Sequence, residues 1–174
     1  MSTRERLQAT SGLALGFILL GIIARLVPHP WNATPITTLA LFSGTYLSRR
    51  WSLVIPLAAV IISDMWLGWH NTIPFTWGAF ALTGALAWWV RPSPTIARIA
   101  TGTLAGSCLF FLITNFGVWL QGELYPMSAA GLWQCYVAGI PFFRAMAIGD
   151  ALYSAAFFGG YALATARTPS PIRG

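Results

Sequence analysis

Hydrophobic positions fall into six runs separated by short polar breaks: about Ala9–Val27, Pro35–Leu47, Trp51–Gly68, Phe75–Val90, Ile99–Leu120 and Gly139–Ala164. A helix needs roughly 20 residues to cross ~30 Å of hydrocarbon, and each run except the second approaches that length. Pro28, Pro30 and Pro35 argue against a helix through the start of the second run. That run is therefore expected to be a less tilted span, or to begin as irregular backbone around Asn32. The pattern predicts an all-α, polytopic membrane bundle of six transmembrane helices in a single domain, residues 1–166, with residues 167–174 as a short, disordered cytoplasmic tail. The stretch from Asn115 to Asp150 holds the longest connection between runs, and also Asn115, Arg144 and Asp150, polar groups that are hard to explain in such a sequence.

Composition agrees with this pattern. The 174 residues are 56% hydrophobic and 8% charged, against roughly 25% charged in soluble domains. Mean hydropathy is +0.66. A soluble fold of this size could not hide that much apolar surface, so an integral membrane protein is expected. The net charge of +6 comes from ten arginines and four acids. In a soluble protein that balance would suggest nucleic acid, but the placement of the arginines points to orientation instead. With the N-terminus inside, Arg4, Arg6, Arg49, Arg50, Arg91, Arg98, Arg167 and Arg173 fall on the cytoplasmic side, leaving only Arg25 and Arg144 elsewhere. Both termini are then cytoplasmic. Trp31, Trp69, Trp119, Tyr125 and Trp133 gather at the outer interface, and Trp51, Trp88 and Trp89 at the inner one. The first run is too long for a signal-peptide core and lacks a small-residue cleavage site, so it reads as a retained span.

Small residues recur at helical spacing: Ala147, Ala151, Ala155 and Gly159 in the last run, Gly12 and Gly16 in the first, Gly102 and Gly106 in the fifth. Such stripes let helices approach closely in lipid, either within the chain or against a partner membrane protein. No internal repeat supports an inverted-repeat transporter.

The predicted topology gathers polar residues in the outer half. Asp64, Trp69, His70, Asn71, Asn115, Trp119 and Arg144 form the candidate substrate-binding set, with an outward-opening pocket expected. Charges inside such sequence are expensive and are usually kept for a site or an internal pair. Arg144 is expected to pair with Asp64, which has matching depth, either as a structural ion pair or as part of a ligand site. Asp150 lies deeper, near the midplane. Phe111, Asn115 and Trp119 share one helical face, which suits a flat ligand or interhelical packing equally well. His70, between Trp69 and Asn71, is the better of the two histidines for coordinating a ligand. Cys108 and Cys135 show no CxxC spacing, so neither a disulfide nor a zinc site is argued.

Catalytic motifs are not found. Ala147-Ile148-Gly149-Asp150 departs from the G-x-G-D arrangement of membrane aspartyl proteases, and Ser63 precedes Asp64 where those enzymes carry tyrosine. The chain lacks a G-x-S-x-G elbow, an H-E-x-x-H helix and a P-loop. A non-enzyme is expected. The rivals are an intramembrane enzyme using Asp64 and Asp150, and a scaffold without a small-molecule site.

The runs Arg25–Leu47, Pro56–His70, Thr114–Pro126, Gly131–Phe143 and Gly149–Gly159 resemble a bacterial family of uncharacterised six-span membrane proteins. Its size and topology are in turn similar to the S components of energy-coupling-factor vitamin transporters, especially the solitary cobalamin-transporting branch. The resemblance implies an S-component-like protein of the bacterial inner membrane that takes up a small micronutrient, with cobalamin or another corrinoid as leading cargo. No cofactor of its own is implied, and bound cobalamin would be substrate. Its partners would be the bilayer and the solute, not nucleic acid, and it would work either alone or with an energy-coupling transmembrane/ATPase module. A protein ligand to cobalt in that branch would fall here on His70. Gly12 and Gly16 would stand where S components meet their coupling subunit.

Overall fold

In a computed structural model, the chain is all-helical, with residues 3–28 and 33–166 described. Six helices follow in order: α1 Thr3–Leu26, α2 Ile36–Tyr46, α3 Trp51–Leu67, α4 Ile73–Val90, α5 Ile96–Leu120 and α6 Ala129–Ala166. Three of them, α4, α5 and α6, are long and apolar enough to cross a membrane, while the apolar part of α1 (Thr10–Leu26) and α3 fall just short. The tail 167–174 and the region around Asn32 lie outside the described residues.

The outside of the bundle is apolar and its core, built on Ile36, Leu39, Ile55 and Val60, also takes in polar groups. Leu13, Leu15, Leu19, Ile23, Leu104, Leu152 and Leu163 face outward, while Thr37, Thr38, Ser43, Ser63, Asp64, Thr83, Thr103, Ser107, Asp150 and Ser154 are buried. That distribution is what an apolar solvent selects, because leucine gains nothing by leaving lipid and hydroxyl groups do.

The eleven-residue α2 is the centre of the bundle. Every residue from Ile36 to Thr45 is buried, with α1, α3, α4, α5 and α6 around it. Its ~16 Å at 1.5 Å per residue is half a bilayer, so enclosure by other helices substitutes for length. Ser43 and Thr45 hydroxyls turn back onto the Leu39 and Leu41 carbonyls, so α2 carries polar residues without leaving donors stranded.

Glycines set how closely the neighbours approach. A Cβ on Gly84 would strike the Ser52 carbonyl, and one on Gly44 would lie 2.5 Å from the Ala87 and Ser52 Cβ atoms. Gly106 packs on Thr83 and Thr37, and Gly102 on Val90 and Leu41, so the fifth-segment stripe is used inside the chain. The first-segment stripe is not. Nothing lies within 4 Å of a Cβ at Gly12 or Gly16, and Gly21 makes the close approach to Ala59 instead.

Helix α6 corrects the expected sixth span. It begins at Ala129 rather than Gly139, so Trp133, Gln134 and Cys135 are helical and the α5–α6 connection shrinks to residues 121–128. The Ser128 hydroxyl accepts from the Gly131 amide at 3.2 Å, capping the new start. Gly131 is needed there because a Cβ would collide with the Pro126 carbonyl. Pro141 lies within the helix without ending it, as membrane helices tolerate.

The ends of the bundle differ in chemistry. Arg49, Arg50 and Arg98 stack over Trp88, Trp51 and Trp89 at 6.0, 5.1 and 5.4 Å from the ring centroids. Arg91 reaches the Gly44 carbonyl at 2.9 Å. At the opposite end Arg25, in the last turn of α1, pairs with Asp64 on α3. The second carboxylate oxygen accepts from Trp77 Nε1 on α4 at 2.9 Å, and Trp77 is flanked by Trp69 at 6.4 Å. Asp64 is 1% exposed, and this triad fastens α1, α3 and α4. The expected Arg144–Asp64 pair is thereby overturned: Arg144 is exposed on α6, and Arg25 occupies its place.

Removing one partner of a buried pair strands the other, at a typical cost of about 3–5 kcal/mol. Arg25→Ala and Asp64→Ala should each lower the thermal midpoint in detergent sharply, whereas Arg144→Ala should leave it within a degree or two of the parent; equal losses in all three would contradict the pairing. Gly84→Leu should likewise unfold the bundle by overpacking, and Gly12→Leu should not. A tolerated Gly84→Leu would refute the close α3–α4 approach.

Candidate functional site

At the end of the bundle away from the stacked arginines, α1, α2, α4, α5 and α6 diverge around a cavity of about 560 Å³. The α3–α4 and α5–α6 turns contribute His70 and Thr72, and Leu124 and Tyr125, to its lining. Its volume lies in the range of small-molecule sites, roughly 300–1,000 Å³. Phe80, Phe110, Val118, Phe142 and Met146 make apolar walls, and Thr34, Thr37, Thr76, Thr114 and Asn115 place polar groups between them. Two charge-bearing side chains border it: Arg25, partly buried at the wall, and Asp150, which is 1% exposed.

Arg25 is only partly consumed by its ion pair. Nη2 holds Asp64, but Nε is buried without a hydrogen-bond partner among the described residues. A buried donor left open is costly, and the cavity is bordered by the same guanidinium side chain. Asp150 is reached from α5 by Ser107 Oγ, which donates to Oδ2 at 2.7 Å, and from α2 by the Thr37 hydroxyl. Gly149 allows this approach, since a Cβ there would press on Ala33 at 2.9 Å.

Asn115 lines the cavity and also ties α5 to α6. Its Nδ2 donates to the Phe111 carbonyl at 2.8 Å, and Cys135 Sγ donates to its main-chain oxygen at 3.3 Å. Gly139 makes room for it, because a Cβ there would lie 2.5 Å from Asn115 Oδ1. His70 stands at the mouth with Nδ1 within 2.6 Å of Thr72 Oγ1. That contact fixes the ring and leaves Nε2 without a protein partner among the described residues, free for one bond to a ligand. No three of His, Cys, Asp and Glu gather as a metal cage among the described residues.

The other expected site residues fall elsewhere. Asp64 lies behind Arg25, outside the lining. Trp69 is 71% exposed and flanks Trp77. Asn71 is exposed. Trp119 donates to the Pro126 carbonyl at 3.0 Å and packs on Phe116, bracing the α5–α6 turn. Phe111 packs on Tyr136 and Phe143 of α6, so this face resolves into interhelical packing with Asn115 alone bordering the cavity. Arg144 does not line it.

The residues that sequence reasoning missed are mostly hydroxyls: Thr37, Thr76, Thr114 and Ser107. A signal for Thr37 and Thr38 existed in their adjacency inside an otherwise apolar run. Arg25 could have been matched to Asp64, since the predicted topology puts both at the same end of the bundle.

No curated protein and no solved structure matches the chain. A family model does, over residues 5–171. The chain thus belongs to a family of unknown function, DUF6580.

Proposed function

We propose that this chain is a six-span binding and transport protein of the bacterial inner membrane that takes up a small micronutrient from the outer side. The observation that carries the reading is the cavity at one end of the bundle, bordered by Arg25 and Asp150 within apolar walls. A membrane protein seldom keeps a buried carboxyl and a partly buried arginine at a cavity without a solute or ion to meet them. The arginine–tryptophan end supports a cytoplasmic placement of that face by the excess of positive charge, which turns the cavity outward. In this topology α2 acts as a sixth, short span. Its enclosure by other helices removes the need to match lipid thickness.

The lining favours a solute with polar groups for Arg25, the threonines and Asn115 and an apolar body against Phe80, Phe110 and Phe142. A vitamin is the natural class. A corrinoid is the named cargo of the S-component-like reading, and the free Nε2 of His70 supports a single cobalt bond at the mouth. The cavity volume favours a smaller vitamin, or a corrinoid seated only in part. The exposed and unpacked Gly12–Gly16 face of α1 suits docking of an energy-coupling transmembrane module.

An intramembrane enzyme built on Asp64 and Asp150 is less supported. Asp64 is held by Arg25 and Trp77, and Asp150 by hydroxyls from α2 and α5, so the carboxylates belong to separate clusters rather than one dyad.

The test is mass spectrometry with visible absorption on gently purified protein. A small molecule near one per chain is expected. Loss of one charged or ring-nitrogen contact costs about 1.5–3 kcal/mol, roughly tenfold or more in affinity, so His70→Ala should deplete it and Arg144→Ala should retain it. Nothing bound, with no thermal stabilisation by any member of a vitamin panel, would sink the reading in favour of a scaffold.

A further inference from the structure

Asp150 differs from Asp64 in one decisive respect. Asp64 has a guanidinium beside it, whereas every group that reaches the Asp150 carboxylate among the described residues is a neutral hydroxyl. An ionised carboxylate without a counter-ion, 1% exposed in the interior of a membrane bundle, carries a large desolvation cost that a bound proton removes.

The hydrogen bonding around Ser107 suits the protonated form. Ser107 has one hydroxyl proton and two acceptors in reach: Asp150 Oδ2 at 2.7 Å and the Thr103 carbonyl at 3.1 Å. With the acid ionised, Ser107 can donate fully to only one of them. With the acid protonated, Asp150 donates to Ser107 Oγ and Ser107 donates to the Thr103 carbonyl, so both contacts are satisfied together. Binding and release of the proton would reverse one hydrogen bond without moving a helix.

Position adds the second argument. Asp150 borders the outer cavity. Ser107, Thr103 and Ser154 border a separate apolar groove of about 490 Å³ between α5 and α6 toward the arginine end. The wall between the two is a hydroxyl seam, in which Thr38 Oγ1 lies 3.0 Å from Ser154 Oγ and Ser154 Oγ 2.9 Å from Thr103 Oγ1. The one carboxyl of this seam therefore stands between the outward cavity and the opposite half of the protein.

We propose that Asp150 is the proton-binding group of the transport site, holding a proton at the cavity floor, so that occupancy of the cavity is linked to protons. The proposal rests on the binding-protein reading above for its link to a solute. In the step itself an O–H bond forms at Asp150 with a proton taken from water in the outer cavity. On release that bond breaks and the proton returns to water, with no other reactant. The groups facing Asp150 are Thr37 and Thr38 from α2 and Ser107 from α5. The remaining ionisable groups of the cavity are Arg25, which is paired with Asp64, and His70, Tyr125 and Cys135.

The chain has only four acidic side chains, which makes infrared spectroscopy of the full chain in phosphatidylcholine vesicles a direct test. At neutral pH the C=O stretch of one protonated carboxyl per chain is expected. It should vanish in Asp150→Asn, move in frequency in Ser107→Ala, which keeps the acid and loses its acceptor, and shift in D2O because the cavity admits water. Absence of the band, its indifference to both substitutions, or a band that never exchanges in D2O would overturn the proposal, the last by marking a sealed structural acid. The band is independent of cargo. A co-purified solute without the band would keep the binding reading and refute the proton site, and the band without a solute would do the reverse.

Discussion

The bundle depends on how it accommodates Asp64. A carboxylate at 1% exposure in this setting is tolerable only with a cation and a further donor in contact, and those come from two other helices, Arg25 on α1 and Trp77 on α4. The pair does more than offset a charge. Helix α1 lies against α3, and Arg25 ties its last turn to Asp64 while bordering the cavity. One arginine thus closes the wall of the bundle and forms part of the wall of the site.

The second constraint is the central α2. A helix enclosed by others must carry side chains that let five neighbours close around it, and it does so with Thr37, Thr38, Ser43, Gly44 and Thr45. These residues satisfy themselves on the helix's own carbonyls or on partners in α6. The N-terminal end of α2 supplies Thr37 to the site, while the bulky Phe42 and Tyr46 fill the other end against Phe158 and Tyr161 of α6. An open end and a filled end on one short helix produce a cavity on one side only.

Much of this was legible in the sequence. Helix number, the approximate segments, the arginine-rich end with Trp51, Trp88 and Trp89, and the clustering of polar residues at the other end all follow from hydropathy and charge. His70 and Asn115 were identified as cavity residues from the same pattern. What was not legible depended on distance across the fold. Depth alone made Arg144 as good a partner for Asp64 as Arg25, and only packing decides between them. The start of α6 was placed ten residues late because the polar Gln134 and the stretch before Gly139 read as connection, whereas Gly131 and Gly139 admit the Pro126 carbonyl and Asn115 against a continuous helix. Threonines and serines went unnoticed because a hydroxyl in a membrane helix usually bonds its own backbone, and nothing in a single sequence marks the few that turn toward a neighbour's carboxylate.

The central claim is that the cavity opens to water on the outer side and nowhere else. Cysteine accessibility tests it most directly. Thr114→Cys would be placed in a background with both native cysteines changed to serine, and treated with a charged, membrane-impermeant thiol reagent. The account predicts labelling when the reagent meets the outer face of spheroplasts, and none when it meets the cytoplasmic face in inverted vesicles. Labelling only from the cytoplasmic face, or from neither, would contradict it.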